Sequence, residues 1–364
     1  MNATQAQEKE KTWLTKEKRP IVIAGPCSAE TEEQVIETAK RLKATNKVDI
    51  YRAGIWKPRT RPNSFEGIGV QGLPWLQKAK EETGFPLTVE VAKASHVDLC
   101  LEFGIDMLWI GARTTVNPFA VQEIADALRG VDIPIMVKNP INPDLSLWLG
   151  GIERIEKAGV REIGGIHRGF SNLSEKFFRN TPQWKIPLEF KRLRPDLPLL
   201  NDPSHICGRR DILQDVGQKA MDLNFDGLMI ESHIDPDNAW SDAKQQITPE
   251  VLGAMITEMV LRVDYEDVPQ LQSELETLRD EINHIDDEIL NLLSNRMIVS
   301  RQIGAYKKEH NMTILQQRRW ESILDKSITE ARKRNMSEKF IVRLINAIHD
   351  ESIDQQEEIF KENT

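Results

Sequence analysis

The chain has 364 residues, a formal net charge of -9 and three cysteines. Two domains are the expected number at this length. The 40% hydrophobic and 29% charged content is typical of a soluble globular protein. The acidic balance argues against nucleic acid as a partner, and three cysteines without an even framework favour a reducing compartment.

The first 18 residues are polar and charged and lack the apolar core of a secretory signal. No apolar run in the sequence approaches the roughly 20 residues that a membrane span needs. We therefore expect a cytoplasmic protein with no membrane partner.

Eight short apolar runs follow one another, with starts 20 to 37 residues apart. Segments of helical character lie between them, for example residues 32–43, 121–129 and 209–223. Strand and helix in alternation, at about 30 residues per unit, are typical of βαβ units, and eight such units predict a (β/α)8 TIM barrel. The alternative is a doubly wound open sheet, but no Gly-x-Gly-x-x-Gly follows the first strand. The predicted strands are residues 21–24, 50–56, 87–92, 107–111, 133–137, 163–166, 197–200 and 227–230.

The last of these strands ends in a group of hard ligands, Glu231, His233 and Asp242. Cys27 follows the first strand, and His205 follows the seventh. Barrel enzymes keep their chemistry at the carboxyl ends of the strands, so side chains from separate strand ends are expected to meet there. Cysteine, histidine, glutamate and aspartate together predict a divalent metal site.

Cationic side chains follow most of the other strands. An unpaired buried charge is unfavourable, so cations gathered at one end of a barrel indicate that they surround anions. Arginine and lysine are the usual binders of phosphate and carboxylate. The sequence therefore predicts a multiply anionic substrate beside the metal. The polar residues at these strand ends are Arg52, Lys57, Arg59, Thr60, Glu90, Arg113, Lys138, His167 and Arg168.

Five sequence blocks stand out between residues 20 and 262. They are Ile23-Ala-Gly-Pro-Cys-Ser28, Tyr51-Arg-Ala-Gly-Ile-Trp-Lys-Pro-Arg-Thr60, Ile110-Gly-Ala-Arg113, Asp202-Pro-Ser-His205 and Leu228-Met-Ile-Glu-Ser-His233. Together these blocks resemble one family, 3-deoxy-D-arabino-heptulosonate 7-phosphate (DAHP) synthase of the short, octulosonate-synthase-like type. The resemblance implies condensation of phosphoenolpyruvate with erythrose 4-phosphate, the first step of the shikimate pathway and of aromatic amino acid biosynthesis.

The resemblance also implies roles for individual residues. It makes His233 structural, and it makes Arg59 and Thr60 the erythrose 4-phosphate contacts. A bound divalent ion (Mn²⁺, Fe²⁺, Zn²⁺ or similar) would supply Lewis-acid polarisation of the aldehyde, and the cations would position the enol phosphate and stabilise charge. The implied metal ligands are Cys27, His205, Glu231 and Asp242, and the implied phosphoenolpyruvate contacts are Arg52, Lys57 (also catalytic), Arg113, Lys138 and Arg168.

The nearest rival is 3-deoxy-D-manno-octulosonate 8-phosphate synthase, which shares the barrel and takes a five-carbon sugar phosphate. Members of that family carry a motif like Lys-Ala-Asn-Arg at the position of Lys57-Pro58-Arg59-Thr60. The sequence of this chain therefore favours erythrose 4-phosphate as the substrate. Arg61-Pro62 stands where many relatives continue with Ser-Pro. The alternative function is an octulosonate-type condensation by the barrel. In that case the carboxyl-terminal helical segment would be a non-catalytic tail that dimerises or regulates.

The remainder of the chain has a different pattern. We divide the sequence into an extension (1–19), the barrel (20–262), an acidic linker (263–270) and a helical domain (271–364). A helix over 271–308 would be about 57 Å long, so it needs a partner helix, which predicts at least a homodimer. Its apolar positions are Leu271, Leu275, Leu278, Ile282, Ile285, Ile289, Leu292, Val299, Ile303 and Tyr306, and Arg296 interrupts them.

On residues alone, the tail is interpreted as a coiled-coil dimerisation helix with one polar seam residue. It also carries five short motifs over about residues 271–361, namely Leu278-Arg279-Asp-Glu-Ile282, Asn295-Arg296, Gly304-Ala-Tyr-Lys307, Gln316-Gln-Arg-Arg319-Trp320 and Ser352-Ile-Asp-Gln-Gln356. In order and spacing these motifs resemble the all-helical chorismate mutase, which rearranges chorismate to prephenate without a nucleophile.

By this resemblance, Lys307 and Gln356 donate to the breaking ether bond, and cations hold the two carboxylates in a compact conformer. Gln316 stands where some members carry an acid. Arg279 would enter the pocket from the other subunit. The implied pocket residues are Arg279, Arg296, Lys307, Arg319, Ser352 and Gln356, of which Arg296, Lys307 and Gln356 are catalytic.

The helical domain is also the expected regulator of the barrel. About 20 residues precede the first strand, so we expect no amino-terminal regulatory domain. The helical domain would bind a downstream metabolite, which predicts feedback by prephenate or chorismate through a change in domain arrangement.

Overall fold

A computed structural model describes residues 19–57, 65–172, 176–262 and 269–361, without the side chains of residues 269–274. The chain forms two compact units that divide after Arg262. Arg59 and Thr60, and most of the linker expected at 263–270, lie outside the described residues. None of the described helices combines the length and the apolar character that a bilayer crossing requires.

The first unit is a closed barrel of eight parallel strands in sequential order. The last strand pairs with the first, in a register that sets Glu231 opposite Gly25. The predicted (β/α)8 TIM barrel is therefore confirmed, and the open sheet is wrong. The strands are β1 (Ile21–Gly25), β2 (Ile50–Arg52), β3 (Leu87–Val91), β4 (Met107–Ile110), β5 (Ile135–Lys138), β6 (Ile163–His167), β7 (Leu199–Asn201) and β8 (Gly227–Glu231).

The strands are apolar on both faces because the barrel has two buried layers. In β1, Ile21 and Ile23 contribute to one cluster, whereas Val22 and Ala24 belong to the other, as expected from alternating side chains. The larger cluster contains the apolar faces of the surrounding helices. The smaller one consists of strand residues, namely Ile21, Ile23, Ile50, Met107, Trp109, Met136, Ile166, Leu200 and Met229.

Helices follow the strands, and several begin at a side-chain cap. Thr31 caps the first helix, Asp144 caps the sixth and Thr248 caps the tenth, each by accepting a hydrogen bond from a backbone N–H three residues on. The barrel helices are α1 (Glu32–Thr45), α2 (Gly72–Thr83), α3 (Ala94–Glu102), α4 (Ala112–Thr115), α5 (Pro118–Ala127), α6 (Leu145–Lys157), α7 (Lys185–Leu193), α8 (Pro203–Cys207), α9 (Leu213–Asp222) and α10 (Pro249–Glu258).

Three predicted strand bounds differ from the structure by two residues or more. β5 begins at Ile135 and β7 at Leu199, each directly after a proline, because proline has no N–H to donate to the ladder. β2 ends at Arg52 rather than at residue 56, since Gly54 and Ile55 bond to loops instead. Gly54 O, for example, accepts from Ala29 N at 2.9 Å. This departure from the sheet lets the chain after β2 contact the loop that follows β1.

The second unit contains three helices, α11 (Pro269–Glu309), α12 (Gln317–Lys333) and α13 (Glu338–Lys361). The long helix predicted over 271–308 therefore exists. Its polar face, with Ser300 and Lys307 buried, packs on Ser352 and Gln356 of α13. The apolar positions of α11 lie on the exposed surface of the single chain. They are Leu278, Ile282, Ile285, Ile289, Leu292, Val299, Ile303 and Tyr306.

Candidate active sites

Three of the four predicted metal ligands come together at the carboxyl end of the barrel. One donor atom each from Cys27, Glu231 and Asp242 lies within 4.8 Å of the other two. The fourth, His205, contacts this group through Glu231, with its Nε2 atom 3.7 Å from Oε1 of the carboxylate. Residues up to 215 positions apart in sequence thus form one cluster, with Cys27 Sγ 3.3 Å from Asp242 Oδ2.

The turn after β1 places Cys27 in this cluster. Gly25 has φ of 152°, and a Cβ there would lie 2.0 Å from the carbonyl oxygen of Arg52. A glycine is therefore required for β1 to turn this close to β2. Gln246 then fixes the backbone at the ligand, because its Oε1 accepts from Cys27 N at 2.9 Å and its Nε2 donates to Ser241 O.

The donor set fits a divalent cation. A thiol, an imidazole and two carboxylates are ligands that several transition metals accept. Glu231 Oε1 is buried and has no hydrogen-bond partner among the described residues, although a buried acceptor normally has one. Burial, followed by the charge of Glu231, raises the pKa of the Cys27 thiol to about 12. A bound cation would therefore stabilise two acids that lie beside a buried thiol.

Buried cations lie beside this cluster. Arg52 is buried, with Nη2 3.5 Å from Glu231 Oε1. Its Nε and Nη1 atoms have no partner among the described residues. Lys138 donates to Asp202 Oδ2 at 2.7 Å, and both Arg52 and Lys138 lie over the ring of Trp109. Unused buried donors indicate a place for an anionic ligand.

Three further predicted cations differ in exposure. Arg168 is buried and donates from Nη1 to Asn180 Oδ1 at 2.8 Å, and burial lowers its pKa to about 10. Lys57 donates from Nζ to Cys27 Sγ at 3.0 Å, so it lies at the metal cluster. Arg113 is exposed after β4. His167 is buried away from solvent, with Nε2 2.7 Å from Pro182 O.

The sequence analysis missed several residues of this site. Asp202 connects two predicted residues, since its Oδ2 accepts from Lys138 and lies 2.8 Å from His205 Nδ1. It was visible within the Asp-Pro-Ser-His block, but nothing there indicated this contact. Arg179 and Gln245 bond to the two carboxylates of the metal cluster. Both lie in connecting segments, where no periodic pattern marks a functional side chain.

His233 has the surroundings of a structural histidine. Its Nε2 lies 3.2 Å from Glu30 Oε2, and its Nδ1 accepts from Asp235 N at 2.9 Å. Glu30 Oε1 accepts in turn from Trp240 N at 2.8 Å. The pair therefore fastens the segment that carries Asp242 to the loop after β1.

In the helical unit, four predicted residues converge between α11 and α13. Arg296 donates from Nη1 to Ser352 Oγ, and Lys307 donates from Nζ to Gln356 Oε1 at 2.9 Å. Burial lowers the pKa of both cations, which raises the benefit of an anion nearby. Arg319 is exposed on α12.

Arg279 is not among the residues that converge here, and it pairs with Glu276 on its own helix at 2.6 Å. Ser300, which the sequence analysis missed, accepts from Gln356 Nε2 at 3.2 Å and donates to Ser352 O at 3.2 Å. Gln356 Nε2 also donates to Ser352 O, so in this state its amide protons are directed at the protein and its oxygen at Lys307.

Comparison with known families decides the identity of the barrel unit. Residues 3–263 match the model of the DAHP synthetase I family. The chain belongs to the DAHP synthetase I family. It is 33% identical over 239 residues to a phospho-2-dehydro-3-deoxyheptonate aldolase of Thermotoga maritima, covering 65% of this chain and 68% of that protein. The crystal structure of the Thermotoga DAHP synthase matches with a TM-score of 0.60 at 32% identity, over 66% of this chain and 68% of that one.

Other relatives share the barrel. A 2-dehydro-3-deoxyphosphooctonate aldolase of Geobacter sulfurreducens is 27% identical over 266 residues, which are 66% of this chain and 92% of that protein. Residues 278–357 match the chorismate mutase type II family. The protein is therefore a bifunctional enzyme that joins a DAHP synthase, a transferase, to a chorismate mutase, an isomerase. It makes DAHP and converts chorismate to prephenate, which confirms both functions expected from the sequence.

Proposed function

We propose that the synthase reaction takes place at the cluster of Cys27, Glu231 and Asp242, with a divalent metal held there and His205 as a fourth ligand. The observation that supports this most is the buried Glu231 Oε1, which has no hydrogen-bond partner in the described part of the chain. A bound ion would supply Lewis-acid polarisation of the aldehyde oxygen of erythrose 4-phosphate. Mn²⁺, Fe²⁺ and Zn²⁺ are all compatible with this ligand set.

The cations beside the cluster hold phosphoenolpyruvate in this proposal. Arg52 offers two buried donors, Nε and Nη1, that a carboxylate or phosphate can accept. Lys138 and Arg168 are held in place by Asp202 and Asn180, so they present charge without rearrangement. Such fixed charges place C3 of the enol phosphate against the aldehyde carbon that it attacks. Water then adds at C2, and the cations stabilise the phosphate that leaves from that carbon.

The remaining proposed substrate contacts lie in the outer part of the synthase site. Arg113, exposed after β4, and Lys57, which donates from Nζ to Cys27 Sγ, are further proposed phosphoenolpyruvate contacts. Arg59 and Thr60 are the proposed contacts for erythrose 4-phosphate. A coupled assay of the whole enzyme with erythrose 4-phosphate and, separately, arabinose 5-phosphate tests the substrate, and faster turnover of the five-carbon sugar would contradict it.

In the helical unit, Arg296 and Lys307 bind the carboxylates and ether oxygen of chorismate. Lys307 is a hydrogen-bond donor that is already held in place, because Gln356 Oε1 and Ile314 O orient its ammonium group. Ser352 receives Arg296, which keeps the guanidinium at the pocket. No proton transfer or nucleophile is needed, so fixed donors and a compact substrate conformer account for the rate.

The exposed apolar face of α11 supports a homodimer. Ten large apolar residues in the described part of this helix are 45–69% exposed in the single chain, from Leu278 (57%) to Tyr306 (58%). A second copy of the helix is the occupant that fits this repeat. Arg279, on the same helix, would then enter the partner's pocket, whereas Arg319 would line the pocket of its own chain. Light scattering of the purified enzyme tests the dimer, and a monomeric mass at micromolar concentration would contradict it.

We also propose a cytoplasmic location and feedback regulation. A mutase pocket on the same chain as the first enzyme of the pathway binds a downstream metabolite. Prephenate or chorismate bound at Arg296 and Lys307 would lower synthase activity if it favours one of two domain arrangements.

A further inference from the structure

Two side chains outside the predicted ligand set join the two carboxylates of the metal cluster. Arg179 donates from Nη1 to Asp242 Oδ1 at 2.9 Å and, from the same nitrogen, to Gln245 Oε1. The other end of the Gln245 amide, Nε2, donates to Glu231 Oε2 at 2.6 Å. A continuous chain of hydrogen bonds thus leads from Asp242 through Arg179 and Gln245 to Glu231. We call this chain the carboxylate bridge.

The bridge binds one oxygen of each carboxylate and leaves the other oxygen to bind a metal ion. Glu231 Oε2 and Asp242 Oδ1 accept from the bridge, whereas Oε1 and Oδ2 are directed at the cluster. Oε1 has no hydrogen-bond partner among the residues described, and Oδ2 accepts only from the thiol of Cys27 at 3.3 Å. A carboxylate with one oxygen held by a protein donor is restricted to offering its other oxygen to a metal.

Burial holds Gln245 and Glu231 to their partners in the bridge. Gln245 is 1% exposed and Glu231 is fully buried, so neither can exchange its partner for bulk water. The oxygen and nitrogen of the Gln245 amide can be assigned in one orientation only, because a carboxylate accepts and a guanidinium donates. Arg179 adds charge as well as geometry.

From this geometry we infer that Arg179 and Gln245 are positioning residues of the synthase. They fix Glu231 and Asp242 as one-oxygen ligands and set the distance between the two carboxylates before an ion binds. Without the bridge, the buried carboxylate of Glu231 and the half-buried carboxylate of Asp242 would repel each other and separate. The inference rests on the proposed metal site and assigns to this chain the residues that determine its affinity.

Cobalt binding to the full-length enzyme tests the bridge directly. The enzyme is stripped with a chelator and titrated with Co²⁺, whose absorption bands report thiolate coordination by Cys27. We expect Arg179→Gln and Gln245→Ala each to weaken Co²⁺ binding by about 10- to 100-fold, the usual effect of removing a partner of a metal ligand. The double variant should bind no worse than the weaker single variant, because either change alone breaks the chain.

The chain offers a matched control on its surface. Arg154 donates from Nη1 to Gln122 Oε1 at 2.8 Å, and Gln122 Nε2 donates to Asp126 Oδ1 at 3.1 Å. This arginine, amide and carboxylate repeat the chemistry of the bridge on α5 and α6, away from the cluster. Arg154→Gln and Gln122→Ala should leave cobalt affinity unchanged. Thermal unfolding of each variant, followed by circular dichroism, shows whether the barrel is folded.

The outcomes separate the bridge from the metal site. If the wild type binds Co²⁺ without thiolate bands, the proposed metal site is wrong and the bridge fails with it. If the wild type shows the bands, and folded Arg179→Gln and Gln245→Ala bind Co²⁺ as tightly as the controls, the bridge alone is overturned. Weaker binding in both, with additive losses in the double variant, would also overturn it, since the two residues would then act independently.

Discussion

Gln356 donates a hydrogen bond from Nε2 to the hydroxyl of Ser300, 3.2 Å away across the interface of α11 and α13. The same hydroxyl donates to Ser352 O, so it holds the amide by a group that is itself fixed. Gly304 leaves space for Gln356, because a Cβ at position 304 would lie only 3.1 Å from that residue. Ser300 therefore keeps the Gln356 oxygen on Lys307.

Removal of this hydroxyl should reduce mutase activity through Gln356. We expect Ser300→Ala to lower kcat by about fivefold, equivalent to about 1 kcal/mol for one buried hydrogen bond. The same change in a Gln356→Ala background should have little further effect, because the residue it positions is gone. The control is Ser327→Ala, whose hydroxyl donates to Ile323 O within α12. Equal losses in both backgrounds would show that Ser300 does not act through Gln356.

Arg296 is the residue whose loss should affect the mutase most. We expect Arg296→Ala to reduce kcat/KM for chorismate by at least about 100-fold, or roughly 3 kcal/mol, as for other preorganised charged donors. DAHP formation without added effector should be unchanged. Arg301→Ala is a close control, since Arg301 contacts Gln355 on the same helix pair at 2.9 Å. Mutase kinetics equal to those of the control would remove Arg296 from the pocket.

Metal removal should separate the two activities. A chelator should abolish DAHP formation and leave the rearrangement of chorismate intact, because the helical reaction needs only fixed cations. Cys27→Ala should behave like the chelated enzyme, whereas Cys100→Ala, a buried cysteine of α3, should retain both activities. Metal analysis accompanies each assay. Full synthase activity in Cys27→Ala without bound metal would refute the ligand assignment.

His167 should make the barrel less stable in acid. Its Nδ1 accepts from Asn201 Nδ2 at 3.0 Å while Nε2 is 2.7 Å from Pro182 O, an arrangement that suits the neutral ring. Burial lowers the pKa of His167 to about 3. Between there and the unfolded pKa of about 6.5, the unfolded state binds more protons, so stability falls as pH falls.

The expected size is about 2 kcal/mol between pH 7.5 and pH 5, from about 1.4 kcal/mol per unit below 6.5. His167→Gln keeps a donor for Pro182 O but does not titrate, so its stability should fall less over this range by about that amount. Urea unfolding at both pH values measures the difference, with His284→Gln on the exposed face of α11 as control. Parallel losses in wild type and His167→Gln would rule out this histidine as the acid-sensitive group.

The fold was predictable because its signals are local. Buried parallel strands are apolar runs, and eight of them at regular spacing indicate a barrel wherever their ends fall. The bounds that failed, at β2, β5 and β7, depend on prolines and on loop hydrogen bonds rather than on hydrophobicity. Cys27 and Glu231 could be assigned to one site because both end a strand, and strand ends meet in a barrel.

The residues that were missed have partners far away in sequence. Arg179 bonds to Asp242, 63 positions later, and Ser300 bonds to Gln356, 56 positions later. Neither residue lies in a motif or on an apolar period. A serine or an arginine alone is usually a solvated side chain, so its role is visible only when the fold brings its partner to it.

The last prediction concerns control of the synthase by the helical unit. Prephenate can alter the synthase rate only if it binds one arrangement of the two units more tightly than another. The part of the expected linker that precedes α11, residues 263–268, could span at most about 21 Å when fully extended. We expect saturating prephenate to lower the steady-state rate of DAHP formation in the intact enzyme. The effect should be lost in Arg296→Ala, which no longer binds the ligand, and after cleavage of the chain at residue 263, but kept in Arg301→Ala. If saturating prephenate leaves the rate of the intact enzyme unchanged, the two enzymes are joined for proximity or mutual stability, and the helical unit does not regulate the barrel.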